Sequence, residues 1–72
     1  METFGERLEK LLAKQKIKQT KLAIHLNIRQ STISMWVHGK AYPKKEIIEK
    51  IAKRLNVTSQ YLEYGEENIL KV

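Results

Sequence analysis

The sequence predicts an all-α domain of five short helices. Apolar residues recur at intervals of three and four along most of the chain, which is the spacing of helices with one buried side. No segment alternates strictly between apolar and polar residues, so we expect no β-strand. The 72 residues suffice for one small domain, and folding buries only about 60% of the unfolded surface of such a chain. Dimerisation would add to the stability of a domain this small.

The positive charge of the chain is unevenly distributed. The net charge is +6, yet no acidic residue lies between Glu9 and Glu46. Nine cations occupy that interval: Lys10, Lys14, Lys16, Lys18, Lys21, Arg29, Lys40, Lys44 and Lys45. From Asn56 onward acidic residues predominate. A run of one charge is usually a solvated surface, but a block of this size around polar helix residues fits a polyanionic partner.

Composition excludes several classes of protein. Without Cys there are no disulfides or thiolate metal ligands, and His25 and His38 are too far apart to suggest a metal site. No apolar run approaches the length of about 18 residues needed to span a membrane, and no signal peptide is evident, so we expect a cytoplasmic protein. The chain has no Asp, no Gly-rich phosphate loop and no carboxylate near either histidine, so we expect neither an enzyme nor a cofactor or small-molecule ligand.

The first two helices are marked by an N-cap and by a turn residue. Thr3 and Glu6 have the spacing of a capping box, so the first helix begins at Thr3 and ends in the lysine-rich segment that follows. The second is expected over about Gln19 to His25, with Asn27 in the left-handed conformation that ends helices. Their apolar residues are Phe4, Leu8, Leu11 and Leu12 in the first helix, Leu22, Ala23 and Leu26 in the second, and Ile28 after it.

The third helix, over Gln30 to His38, carries a polar surface opposite an apolar one. At 100° per residue, amide, hydroxyl, imidazole and thioether side chains fall within one arc of roughly 140° around the helix. This arc contains no acidic residue. Its members are Gln30, Ser31, Ser34, Met35 and His38, and the opposite arc holds Ile33, Trp36 and Val37. These polar groups can recognise base edges in a DNA major groove, although an ordinary amphipathic surface helix has a similar pattern.

The last two helices follow a loop. Gly39 suits the left-handed end of the third helix, and a helix cannot continue into Pro43. The fourth helix buries Ile47, Ile48, Ile51, Ala52 and Leu55. Thr58 caps a short fifth helix that reaches about Tyr64 and ends at Gly65. Residues 66–72 show no period, so we divide the chain into a domain at 1–65 and a C-terminal tail at 66–72 that is either dimerising or disordered.

These features together resemble the phage repressor and Cro-like helix-turn-helix family, also called the xenobiotic-response-element type. The resemblance covers residues 3 to 65. The matching positions are Phe4, Leu8 and Leu11; Gln19, Leu22 and Ala23; Leu26, Asn27 and Ile28; Ser31, Ile33, Ser34 and Trp36; Gly39, Lys40 and Pro43; Ile51, Ala52, Leu55 and Val57; Tyr61, Leu62 and Gly65. The family implies a five-helix, lambda-repressor-like domain in which the third helix is the recognition helix.

The resemblance also implies a function and a set of contacts. We expect a transcriptional regulator whose partner is double-stranded DNA. It is expected to act as a repressor and to bind a near-palindromic operator as a homodimer. Gln30 matches a glutamine that pairs with adenine, and we predict base contacts by Gln30, Ser31, Ser34 and Met35. Backbone contacts are predicted for Lys18, Gln19, Lys21, Arg29, Thr32, His38, Lys40, Tyr42, Lys44 and Lys45. The predicted dimer interface comprises Tyr61, Leu62, Tyr64, Ile69 and Leu70. The alternative is a protein-interaction module of the same fold, an antitoxin or an anti-repressor.

Two departures from the family pattern are informative. Relatives commonly have Arg at the position of Leu12 and Glu at that of Val37, forming a partly buried ion pair. Both are apolar here, and because packed apolar residues can replace a buried pair at little cost, we predict that Leu12 and Val37 touch. The expected N-caps of helices two, three and four are Lys18, Arg29 and Lys44, which oppose the helix dipole and offer no capping oxygen.

Overall fold

The computed structural model describes residues 2–65, and within them the chain folds into five helices without a strand. These are α1 (Phe4–Gln15), α2 (Gln19–Leu26), α3 (Gln30–Val37), α4 (Lys45–Leu55) and α5 (Ser59–Tyr64). The all-α prediction and the number of helices in this range are confirmed. The third helix is one residue shorter than predicted, because His38 leaves helical geometry and becomes its C-cap. The proposed tail at 66–72, with Ile69 and Leu70, lies outside the described residues.

The helix ends are defined by the residues that the sequence indicated. The backbone N–H of Thr3 donates to Glu6 at 2.9 Å and the N–H of Glu6 donates to the Thr3 hydroxyl at 3.1 Å, which completes the capping box. Thr58 caps α5 by accepting from the backbone N–H of Tyr61 at 3.0 Å. Asn27 and Gly39 have φ values of 57° and 74°, the left-handed conformation predicted for both. Local sequence therefore decides where these helices begin and end.

The helices pack around one apolar core. α1 contacts α3, α4 and α5, and α2 contacts α3 and α4. The buried apolar residues are Phe4, Leu8, Leu11, Leu12, Leu22, Ala23, Leu26, Ile33, Trp36, Ile48, Ile51, Ala52, Leu55, Val57 and Leu62. Val37 is half-buried and packs against the same core as Leu12, while their direct contact stays a prediction. In residues 2–65 no helix is long and apolar enough to cross a membrane.

Within residues 2–65, Arg7 is a charged residue that lies in the interior. Arg7 is only 4% exposed, and its guanidinium donates to the carbonyl oxygens of Leu62, Glu63 and Glu2. Arg7 is not among the residues predicted to be functional or buried. Helical spacing could have predicted that Arg7 is buried. Arg7 follows Phe4 by three residues and so falls on the apolar side of α1, where a solvent-exposed arginine is not expected.

Candidate nucleic-acid interface

A tight turn fixes α3 against α2. After Asn27, the backbone N–H of Ile28 donates to the carbonyl oxygen of Ala23 at 3.0 Å and closes the end of α2. Ile33 is fully buried and Trp36 is 6% exposed, so α3 is held by its apolar side. The polar side of α3 consequently remains at the surface.

The predicted base-contacting residues are accessible on that surface. Gln30 and Ser31 are exposed, Met35 is 45% exposed and Ser34 is half-buried. His38, at the C-terminal end, lies with Nδ1 2.8 Å from the carbonyl oxygen of Ser34. A carbonyl only accepts, so Nδ1 carries the proton and donates this bond, and Nε2 is the ring nitrogen left for another partner. The surface thus presents several short polar groups at helical spacing.

A hydrogen bond between two glutamines joins the starts of α2 and α3. Nε2 of Gln30 donates to Oε1 of Gln19 at 2.7 Å. This bond uses one N–H of Gln30 and leaves its second N–H and its Oε1, an adjacent donor and acceptor. Gln19 retains its own amide N–H groups. Both residues were predicted to contact DNA. Their contact with each other was not predicted, because it depends on the angle between the two helices.

Three helix starts lack a side-chain cap. Lys18, Arg29 and Lys44 occupy the N-cap positions of α2, α3 and α4 in extended conformation, and none makes a capping hydrogen bond. Their positions as N-caps are confirmed. The first-turn N–H groups of these helices therefore lack the side-chain oxygen that Thr3 and Thr58 supply at α1 and α5. Each start combines a partial positive charge with a cation, which favours an anion.

The remaining residues of the predicted backbone set are also accessible. Lys21, Lys40 and Lys45 are exposed, and Gln19 and Thr32 are half-buried. A surface cavity of about 430 Å³ beside the start of α2 is lined by three lysines and one threonine. Its lining residues are Lys16, Lys18, Thr20 and Lys21. This cavity has the size and charge to accept an anionic group.

Tyr42 lies in the loop between α3 and α4. It is 58% exposed, and its ring is 5.0 Å from that of Phe4, at a tilt of 53°. Partial burial raises the pKa of the Tyr42 hydroxyl, and the negative charge of Glu63 raises this pKa further. A tyrosine hydroxyl is protonated at neutral pH in any case, so this group can donate a hydrogen bond.

The predicted dimer surface needs one correction. Leu62 has no exposed surface and packs in the core, so it is not available to a second copy of the chain. Tyr61 is half-buried and Tyr64 is 67% exposed. Their participation in a dimer stays a prediction.

Comparison with known proteins identifies the family. The family model described as helix-turn-helix matches residues 8–62. The chain belongs to the helix-turn-helix family. A curated relative of this helix-turn-helix domain, the 26 kDa repressor protein of Escherichia phage HK022, is 34% identical over 65 residues. That match covers 85% of this chain but only 28% of the relative, so the chain spans little more than a quarter of the protein it matches.

Two solved structures share the fold of this helix-turn-helix domain. The P22 c2 repressor, in complex with a synthetic operator, superposes with a TM-score of 0.85 at 27% identity, over 92% of this chain and 100% of that one. The SOS-response transcriptional repressor LexA from Eubacterium rectale superposes with a TM-score of 0.78, also at 27% identity, over 96% of this chain and 74% of that one. The five-helix repressor fold expected from the sequence is confirmed.

Proposed function

We propose that this chain is a sequence-specific DNA-binding transcriptional repressor that inserts α3 into the major groove of its operator. The hydrogen bond between Gln19 and Gln30 supports the proposal most directly, because it holds the exposed Gln30 amide in one orientation, which the reading of one base requires. Support also comes from the relatives: the phage HK022 protein is named a repressor, and the P22 protein was solved on an operator.

Base recognition follows from the groups left free on α3. The second N–H and the Oε1 of Gln30 match N7 and the N6 amino group of adenine, the bidentate pair by which glutamine reads this base. Met35 contributes an apolar contact for a thymine methyl group, and the hydroxyls of Ser31 and Ser34 can donate or accept. Each good bidentate pair discriminates against a wrong base by about 1 to 3 kcal/mol.

Phosphate contacts supply affinity and register. The uncapped starts of α2, α3 and α4 present N–H groups beside Lys18, Arg29 and Lys44, so a phosphate oxygen can serve as the missing cap. The exposed Lys21, Lys40 and Lys45, with Gln19, Thr32, His38 and Tyr42, complete the proposed backbone set. Such contacts position the protein without reading sequence.

The operator is proposed to be near-palindromic and bound by a homodimer. A two-fold symmetric protein favours a site of the same symmetry, with half-sites one helical turn or a multiple of it apart. The exposed Tyr64 and the half-buried Tyr61, at the end of α5, are the described residues proposed for the contact between copies. We propose that the protein acts in the bacterial cytoplasm by binding alone, without catalysis or a cofactor.

Selection of sites from random duplex DNA, followed by binding measurements between about 50 and 200 mM salt, tests the proposal. We expect a two-fold symmetric consensus, sedimentation of two protein copies per duplex, and an association constant that falls with a log-log slope near −0.9 per phosphate contacted. A lack of any measurable duplex binding at the lowest salt would contradict the proposal and would favour a protein-partner role such as an antitoxin or an anti-repressor.

A further inference from the structure

The start of α1 meets the end of α3 at unusually short range. Gly5 is buried, and a Cβ atom built on it would lie 2.4 Å from the carbonyl oxygen of Trp36 and 2.5 Å from that of Val37. It would also lie 2.8 Å from the carbonyl carbon of Val37. All three are backbone atoms, so a change of side-chain rotamer cannot relieve the overlap. The two helices can approach this closely only because residue 5 has no side chain.

Backbone freedom does not explain the glycine. Of the glycines in residues 2–65, Gly39 and Gly65 have positive φ and Gly5 does not, so any residue could adopt its backbone conformation. Glycine within a helix loses more chain entropy on folding than alanine does. The benefit that offsets this loss is the close approach itself. The carbonyl end of α3, with its partial negative charge, then faces the N-terminal turn of α1, with its partial positive charge.

Contacts at its two ends hold α3. At the N-terminal end, Gln30 is bonded to Gln19 of α2. At the C-terminal end, the carbonyls of Trp36 and Val37 lie against Gly5. The buried Ile33 lies between them and fixes the rotation of the helix about its axis. The tilt and depth of the exposed side of α3 therefore depend on the spacing at Gly5.

We propose that Gly5 is a positioning residue for operator recognition, a role that rests on the proposed function and adds a determinant outside the helix-turn-helix. A methyl group at residue 5 needs about 1 Å of additional separation to reach an ordinary contact distance of 3.4 Å from the Trp36 carbonyl. A displacement of this size exceeds the width of the distance range for hydrogen bonds, about 2.7 to 3.2 Å, so base contacts made by α3 are lost. Lysines with long flexible side chains can still follow the phosphates. Specificity is thus more sensitive to Gly5 than affinity for unrelated DNA.

The experiment compares Gly5→Ala with the native protein and with Gly65→Ala as a matched control. A side chain at residue 65 is also strained, because φ is 73° there and a built Cβ lies 3.1 Å from Nη1 of Arg7. The three atoms nearest to that Cβ all belong to Arg7 of α1 rather than to α3. Dissociation constants are measured at one salt concentration for the selected operator and for a duplex of scrambled sequence. The reported quantity is the ratio of the two constants.

We expect Gly5→Ala to reduce the preference for the operator by at least about 10-fold, the loss of one good base contact, while binding to the scrambled duplex changes little. Gly65→Ala should be destabilised yet keep the native ratio. Partial unfolding lowers both affinities by the same fraction, so it cancels in the ratio. If little Gly5→Ala is folded, an osmolyte such as trimethylamine N-oxide raises the folded population and the ratio is measured there.

Measuring the native protein in the same assay distinguishes failure of the proposed function from failure of the inference about Gly5. If the native protein shows no preference for any operator, the proposed function fails. If it shows that preference and Gly5→Ala retains it within about two-fold, Gly5 has only a packing role and the inference is overturned. A drop in both affinities with an unchanged ratio has the same meaning, because it reports lost stability alone.

Discussion

Nε of Arg7 donates a hydrogen bond to the carbonyl oxygen of Leu62 at 3.0 Å and joins the first helix to the last. Nη2 donates to the carbonyl oxygen of Glu63 at 2.8 Å and Nη1 to that of Glu2 at 3.1 Å. The carboxylate of Glu2 is 3.7 Å from Nη1. The buried guanidinium is therefore stabilised largely by backbone carbonyls, two of them at the negative end of the α5 dipole.

Arg7→Met should weaken folding while preserving most of the buried volume. The change removes the hydrogen bond that Arg7 donates to the buried carbonyl of Leu62, and losing one partner of a buried hydrogen bond costs about 1 to 3 kcal/mol of the free energy of unfolding. Denaturation by urea measures it. Lys10→Met is the control, since Lys10 pairs with Glu2 from an exposed position on the same helix and should change stability little. Equal effects of the two variants would contradict the structural role of Arg7.

Gln30→Ala should reduce sequence discrimination, whereas Lys44→Ala should reduce affinity for DNA of any sequence. Gln30→Ala removes a proposed base contact, so discrimination at one operator position should relax by about 1 to 3 kcal/mol. Lys44→Ala removes a proposed phosphate contact, so binding should weaken for every sequence alike and the salt slope should fall by about 1. Binding to operators changed one base pair at a time measures both effects. A uniform loss in both variants would reject the separate roles.

Leu12 and Val37 are predicted to touch, which a charge-pair experiment can test. Leu12→Arg alone places an unpaired charge in the core and should cost about 3 to 5 kcal/mol of stability. Adding Val37→Glu should recover much of the loss, because the pair common in relatives would be restored. A double-mutant cycle of unfolding free energies gives the coupling. Losses that simply add would show that the two side chains do not meet.

Serine at the uncapped helix starts should stabilise the free protein and weaken its binding to the operator. In Lys18→Ser, Arg29→Ser and Lys44→Ser, the hydroxyl caps the helix and the unfavourable cation is removed, which should raise the unfolding midpoint of the free protein. The expected gain is about 0.3 to 1 kcal/mol from the dipole, with a similar amount from the cap. Operator binding should weaken, since the proposed phosphate contact is lost. Stabilisation with undiminished binding would show that these cations have no part in it.

The capping box should make stability depend on acidic pH. The backbone N–H of Thr3, and then its hydroxyl, hold the pKa of Glu6 below its ordinary value of 4.5. A carboxyl group with a lowered pKa stabilises the fold above its unfolded pKa, and this contribution disappears as pH falls through its folded pKa. Between pH 6 and pH 3, the melting temperature should therefore fall more steeply for the native protein than for Glu6→Gln. Glu9→Gln, outside the capping box, serves as the control; identical pH profiles for native and Glu6→Gln would contradict the prediction.

Short sequence patterns predicted where the helices lie, but they did not predict contacts between residues that are distant in the sequence. Thr3, Thr58 and Asn27 act within one turn of their own positions, so their roles are evident in short segments. The contact between Gln19 and Gln30 depends on a crossing angle that no short segment encodes. Leu62 was assigned to the wrong surface because α5 has only six residues, too few turns for a period to distinguish buried from exposed positions.

The contact of Arg7 with Leu62 also has a consequence for synthesis of the protein. Arg7 is synthesised before its acceptor, which is added 55 residues later. Until α5 has left the ribosome, burying the guanidinium would leave it without the carbonyls of Leu62 and Glu63, so the emerging segment around Arg7 is favoured in a hydrated form. We therefore expect the nascent chain to acquire its native packing in one step after Leu62 and Glu63 emerge, rather than helix by helix as each is made.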